Sequence, residues 1–139
     1  MTTQTETRPA ATPYERLGGK AAIEAIADRF YDLMDTDPAF AELRAMHAAD
    51  LAPMRASLAG FLTGWSGGPR DWFQANPGRC MMSIHRPLPI GADTAREWIL
   101  AMRRAIDETV AAKDPPIAKA MGDVLEQMAS GMAKRPAAS

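Results

Sequence analysis

Apolar residues recur at intervals of three and four along four stretches of the chain, and each stretch is bounded by cap or breaker residues. The first runs from Lys20 to Met34, where Ile23, Ile26, Ala27, Phe30, Leu33 and Met34 paint one helical face with Tyr31 beside it. Asp35 to Pro38 ends it, because a proline pushes the residue before it away from helical backbone. The second carries Leu51, Met54, Leu58, Phe61, Leu62 and Trp65; Asp50 is its predicted cap, Pro53 falls in its first turn, and Gly67-Gly68-Pro69 stops it. Trp98, Ala101, Met102, Ala105, Ile106 and Val110 form the third, with Thr94 and Glu97 at the spacing of a capping box. The fourth starts from Asp114 as cap and Pro115 as first residue, followed by Ile117, Met121, Val124, Leu125, Met128 and Met132. Four amphipathic helices of about four turns and no credible strand predict an all-α domain whose apolar faces bury one another.

Shorter features connect them. Pro13 opens a helical turn through Leu17, which Gly18-Gly19 breaks. Arg70 to Arg79 holds Trp72 and Phe73 without a sustained period and ends in the turn signal Asn76-Pro77-Gly78, so it reads as a loop with ordered turns. A short helix ending near His85 follows, and Arg86-Pro87-Leu88-Pro89 cannot continue it. Residues 1–12 and 134–139 are expected to be tails around one domain at 13–133.

Composition narrows the function. A chain of 139 residues that is 47% apolar makes one domain with a sizeable core. A formal charge of −1, with 16 basic residues interspersed among 17 acidic ones, provides no basic field for a nucleic acid. Cys80 stands alone, which excludes an internal disulfide or a multi-cysteine zinc site and suits a reducing, cytoplasmic setting. No apolar run approaches a membrane span or a secretory signal. The acidic residues form no convincing catalytic dyad, and no glycine-rich phosphate loop is present.

Only two histidines occur, His47 and His85. His85 lies at a helix end in Ser83-Ile84-His85-Arg86-Pro87, thirteen residues before Trp98, where a neutral imidazole suits an iron axial bond. Taken alone, a histidine in this setting is more often a hydrogen-bonded structural residue than a ligand, while His47 reads equally as a loop residue and Tyr31 at least as readily as a core-edge tyrosine. The ten methionines suit irregular packing. On the residues alone, a haem protein and a haem-free helical interaction module with a structural His85 both remain open.

The ordered set of motifs resembles the truncated haemoglobins of group II, from about Tyr14 to Met132. It comprises Tyr14-Glu15-Arg16-Leu17-Gly18-Gly19, Arg29-Phe30-Tyr31-Asp32-Leu33-Met34, Phe61-Leu62-Thr63-Gly64-Trp65-Ser66-Gly67-Gly68-Pro69, and His85-x-Pro87-Leu88-Pro89-Ile90 with Trp98 beyond it. The resemblance implies a two-over-two helical sandwich around haem b, with His85 as iron ligand. It implies further that Tyr31, Trp98 and His47 are the polar distal groups, and that Phe30, Met54, Leu58, Phe61, Leu62, Ile90 and Met102 line the pocket. Arg79 and Arg86 are candidates for the propionates. The distal helix carries Met54 and Leu58 where larger globins keep a histidine, and Asn76-Pro77-Gly78-Arg79 departs from the family's Gly-x-Pro.

Donors set in an apolar cavity stabilise a bound ligand that carries partial negative charge, which implies high oxygen affinity and slow release. The expected ligands are dioxygen, nitric oxide, carbon monoxide or peroxide. Nitric oxide dioxygenation or peroxidase-like chemistry would need an external reductase, and the chain would act as a monomer or homodimer without nucleic-acid or membrane partners.

Overall fold

Thr12 caps the first helix: its hydroxyl accepts from the Glu15 N–H while the Glu15 carboxylate accepts from the Thr12 N–H. The computed structural model describes residues 12–47, 49–77 and 91–132. Within them lie α1 (Pro13–Leu17), α2 (Lys20–Thr36), α3 (Ala41–Ala45), α4 (Ala52–Trp65), α5 (Asp71–Ala75), α6 (Ala92–Thr109) and α7 (Pro115–Met132), with a 3₁₀ turn at Pro38–Phe40. The four long helices stand where the apolar periodicity puts them, and no strand occurs among the described residues.

α2 packs against both α4 and α6, and α6 packs against α7, so two helix pairs meet along the α2–α6 contact. Ile23, Ile26, Phe30, Leu62, Met102, Ile106 and Leu125 are almost completely buried between them. On α7 the inward residues are Ala118, Met121, Leu125 and Ala129, whereas Val124 stays 44% exposed. The stripe there is narrower than the sequence pattern suggests; among the described residues α7 packs on α6 and the short α1.

Two glycines let segments approach closely. A β-carbon on Gly68 would lie 2.8 Å from the Tyr14 ring, so this glycine seats α1 against the chain leaving α4. The Tyr14 N–H donates to the Ser66 carbonyl at 2.9 Å in the same seam. Gly18 has φ +121°, a backbone state that other residues rarely adopt, and it turns the chain from α1 into α2.

The caps bear out some expectations and correct others. Asp114 accepts from the Ile117 N–H at the start of α7, as its place before Pro115 predicts. Asp50 accepts from the Ala52 N–H, although Leu51 is the flanking residue of α4. The Thr94–Glu97 capping box does not form. α6 begins at Ala92 with Gly91 as its cap, so Thr94 is already helical, and the Glu97 carboxylate instead accepts from the Leu43 N–H at 3.0 Å. That N–H belongs to the first turn of α3, where no intrahelical carbonyl is in reach, so it draws an acceptor from a neighbouring helix.

Candidate functional site

Phe30 and Tyr31 are consecutive on α2, about 100° apart around the helix, yet both are buried. Two adjacent positions face inward only where a helix has neighbours on two sides, and α4 and α6 supply them. Around this pair runs a continuous series of rings. Trp98 of α6 meets Phe30 edge-on at 5.4 Å between centroids, Phe30 meets Tyr31 at 4.9 Å, and Tyr31 meets His47 at 5.9 Å. The structure thus brings the three polar distal candidates, Tyr31, His47 and Trp98, to one locus.

The remaining described pocket candidates lie together in the core. Phe30, Leu58, Phe61, Leu62 and Met102 belong to one buried apolar cluster, against which Met54 and Trp98 are partly buried. Phe61 is braced from behind by Trp65, stacked at 6.4 Å, and by Trp72 and Phe73 at 5.5 and 5.6 Å. Trp72 is fixed in turn by its indole N–H, which donates to the Ser57 hydroxyl at 3.0 Å. His85, Arg79, Arg86, Ile90 and Cys80 lie outside the described residues.

Burial dominates the electrostatics of Tyr31. Loss of hydration pushes its phenol up to about 12, and the nearby Arg55 guanidinium opposes the rise without cancelling it. The hydroxyl therefore remains a protonated donor throughout the neutral range. Arg55 sits 5.9 Å from the Tyr31 ring centroid and is held by Asp32 at 2.8 Å, the Asp28 carboxylate at 3.4 Å and the Asp28 carbonyl at 3.0 Å. His47 occupies the turn after α3, where its Nδ1 lies 2.8 Å from the Leu43 carbonyl and its backbone N–H donates to the Arg44 carbonyl.

Among the described residues the Tyr31 hydroxyl and the Trp98 indole N–H make no hydrogen bond to a protein group, and no fully buried side-chain nitrogen or oxygen lacks a partner, so both donor atoms keep access to the space beside them. Two donors set against an apolar wall without protein acceptors fit a flat apolar group that brings an acceptor with it, as haem and its ligand would. The described residues include no group of three or more His, Cys, Asp and Glu side chains able to hold a bare metal ion. No helix among them is long and apolar enough to cross a membrane.

Sequence reasoning missed Arg55, Leu43 and Glu97. Arg55 reads as the solvated face of α4, and its link to α2 spans 23 residues and more in sequence. Glu97 sits in a credible local capping pattern that concealed its tertiary partner. The one available signal was its place beside Trp98, on the helix expected to line the site.

The family model of bacterial-like globins matches residues 12–134. A group 2 truncated haemoglobin, YjbI of Bacillus subtilis, is 27% identical over 95 residues, covering 68% of this chain and 69% of its own length. Among solved structures, the group II 2-on-2 haemoglobin of Agrobacterium tumefaciens superposes with a TM-score of 0.87 at 35% identity, covering 94% of this chain and 99% of the other. The cold-adapted truncated haemoglobin of Pseudoalteromonas haloplanktis TAC125 superposes with a TM-score of 0.86 at 34% identity, covering 91% of this chain and all of the other.

Proposed function

Since this chain belongs to the bacterial-like globin family, in its group II truncated haemoglobin branch, we propose that it binds dioxygen, nitric oxide and carbon monoxide at a haem b held by His85, with Tyr31 as principal donor to the ligand. Membership of the family carries haem-based ligand binding; the identity of the ligands, the haem type and the residue roles are our reading. The observation that carries it is Tyr31: a buried, protonated phenol with no protein acceptor among the described residues, between Phe30 and His47.

When bound, haem supplies an iron centre of variable oxidation state with one open coordination position. The chain's own residues shape what happens there. Phe30, Leu58, Phe61, Leu62 and Met102 exclude water, with Met54 and Ile90 completing the apolar lining. Tyr31 and Trp98 donate hydrogen bonds to a ligand bearing partial negative charge, and the low polarity of the wall strengthens both. Arg79 and Arg86 would hold the propionates through charge-assisted hydrogen bonds. Two preorganised donors favour retention of oxygen over rapid delivery. That property suits redox chemistry on the bound ligand, whether nitric oxide dioxygenation or peroxide reduction, with electrons from an external reductase.

The test is the visible spectrum of the haem-reconstituted chain in ferric, ferrous and ferrous carbon monoxide states, beside His85→Ala. An intense Soret band that moves with carbon monoxide and loses its normal ferrous form in His85→Ala is expected. Stoichiometric haem with an unchanged ferrous spectrum in that variant would remove His85 from the iron.

A further inference from the structure

Asp28, Tyr31 and Asp32 stand at i, i+3 and i+4 on α2, so the three share one side of that helix. Arg55 reaches across from α4 and closes on this side. Its guanidinium donates to the Asp32 carboxylate at 2.8 Å and to the Asp28 carbonyl at 3.0 Å, with the Asp28 carboxylate at 3.4 Å. A planar fork of donors holds several acceptors in one fixed orientation. The clasp thereby sets the guanidinium over the Tyr31 ring, 5.9 Å from its centroid.

The charges in the clasp are not equally hydrated. The Arg55 side chain is 29% exposed, whereas those of Asp28 and Asp32 are 60% and 51% exposed. Water screens the two carboxylates more than it screens the guanidinium, so the buried Tyr31 is left under a net positive influence. The phenol responds with that sign: burial tightens its hold on the proton, and Arg55 opposes the effect. A positive charge that favours partial negative charge on the phenol oxygen also makes the hydroxyl a stronger hydrogen-bond donor.

We infer that Arg55 is a positioning residue: clasped by Asp28 and Asp32, it sets its charge against Tyr31 and strengthens the hydroxyl as a donor to ligands that carry negative charge. The inference rests on the reading of Tyr31 as donor and adds a source of selectivity. Dioxygen, polarised when bound, gains from the stronger donor, and carbon monoxide gains little.

The experiment is infrared spectroscopy of the haem-loaded, reduced carbon monoxide form, whose C–O stretch falls as the donors beside the ligand strengthen. It compares wild type with Arg55→Met, Arg55→Lys, Tyr31→Phe and the double variant of Arg55→Met with Tyr31→Phe; a normal Soret band and helicity check each fold. Arg55→Met should raise the stretch and speed oxygen release by about two- to tenfold, with carbon monoxide release changed by less than about twofold. Arg55→Lys, which keeps the charge, should restore most of both effects. In the Tyr31→Phe background Arg55→Met should add no further shift, because the charge has no hydroxyl to act through. An unchanged stretch in Arg55→Met beside a raised one in Tyr31→Phe would overturn the inference and leave Tyr31 as donor. An equal rise from Arg55→Met in both backgrounds would also overturn it, since Arg55 would then act on the ligand directly, and failure of Arg55→Lys to restore either effect would overturn the role of the charge. An unchanged stretch in Tyr31→Phe would remove the reading of Tyr31 itself, and this inference with it. Should Arg55→Met not fold, Arg55→Gln is neutral, still bonds to Asp32 and makes the same comparison.

Discussion

Replacing Tyr31 by Phe removes one oxygen atom and little else. The ring keeps its edge contacts with Phe30 and His47 at 4.9 and 5.9 Å, and Arg55 keeps Asp28 and Asp32. No protein hydrogen bond is lost among the described residues, since burial and the Arg55 charge, and no hydrogen bond, set the phenol's proton affinity. Any functional change therefore reports on the bound ligand. A neutral hydrogen bond contributes about 0.5–1.5 kcal/mol net and one to a charged partner about 1.5–3. At about 1.4 kcal/mol per factor of ten, loss of the bond should speed oxygen release by about twofold at the least and about a hundredfold at the most. A ligand with partial negative charge in an apolar setting belongs between these limits, at about tenfold. Stopped-flow displacement of oxygen by carbon monoxide measures the rate, and circular dichroism checks that helicity is kept. An unchanged or slower release, with a normal Soret band, would refute the assignment of Tyr31 as the principal donor.

The same hydroxyl shapes alkaline stability. Its proton leaves the folded chain near pH 12 against 10.0 for an ordinary tyrosine, so the unfolded state deprotonates first; stability is intact below pH 10 and falls as pH rises to about 12, by about 2–3 kcal/mol in all. Denaturant midpoints at pH 9 and 11 should diverge less in Tyr31→Phe than in wild type, by about 1.4 kcal/mol; equal divergence would mean that the phenol is not desolvated. His47→Ala should bind haem normally and slow the reaction of the ferric protein with hydrogen peroxide by about tenfold or more, the usual effect of removing a proton-accepting group; an unchanged rate in stopped-flow absorbance would exclude that role. In Gly64→Ala the new β-carbon would lie 2.6 Å from the Phe73 ring, which itself packs on Phe61. The strain of about 1–3 kcal/mol exceeds the gain of about 0.5–1 from helix propensity, so thermal unfolding should show a net loss, and stabilisation would mean that Phe73 moves aside freely.

The long helices were legible in the sequence because each buries one stripe at a period of 3.6, and their caps are local: Asp114 works within three residues of its target. What escaped is tertiary. Helix α3 and the preceding 3₁₀ turn have too few residues for a period to register. α5 positions Trp72 and Phe73 behind Phe61 through ring packing and the Trp72–Ser57 hydrogen bond, with only five residues of its own. The motifs brought Tyr31, His47 and Trp98 forward together, whereas the reason they meet, Phe30 lying between Trp98 and Tyr31, needs coordinates. Glu97 illustrates the limit. A carboxylate three residues after a threonine satisfies a local rule, and only the unfilled N–H at the start of α3 shows that another helix claims it.

That use of Glu97 has a mechanical consequence. Glu97 and Trp98 are neighbours on α6, turned about 100° from one another, so one reaches α3 while the other meets Phe30 on α2. A small slide or rotation of α6 therefore displaces Trp98 and pulls on Leu43, and with it His47, in the same movement. The Tyr31 hydroxyl is set by α2 and has no such link, since Arg55 joins α4 to α2 through Asp28 and Asp32 instead. The site divides into a fixed donor on α2 and a pair of groups coupled through α6. Changes in α6 packing, such as loss of the Arg103 pairs with Asp123 and Glu126 on α7, should then alter Trp98 and His47 together while leaving Tyr31 in place.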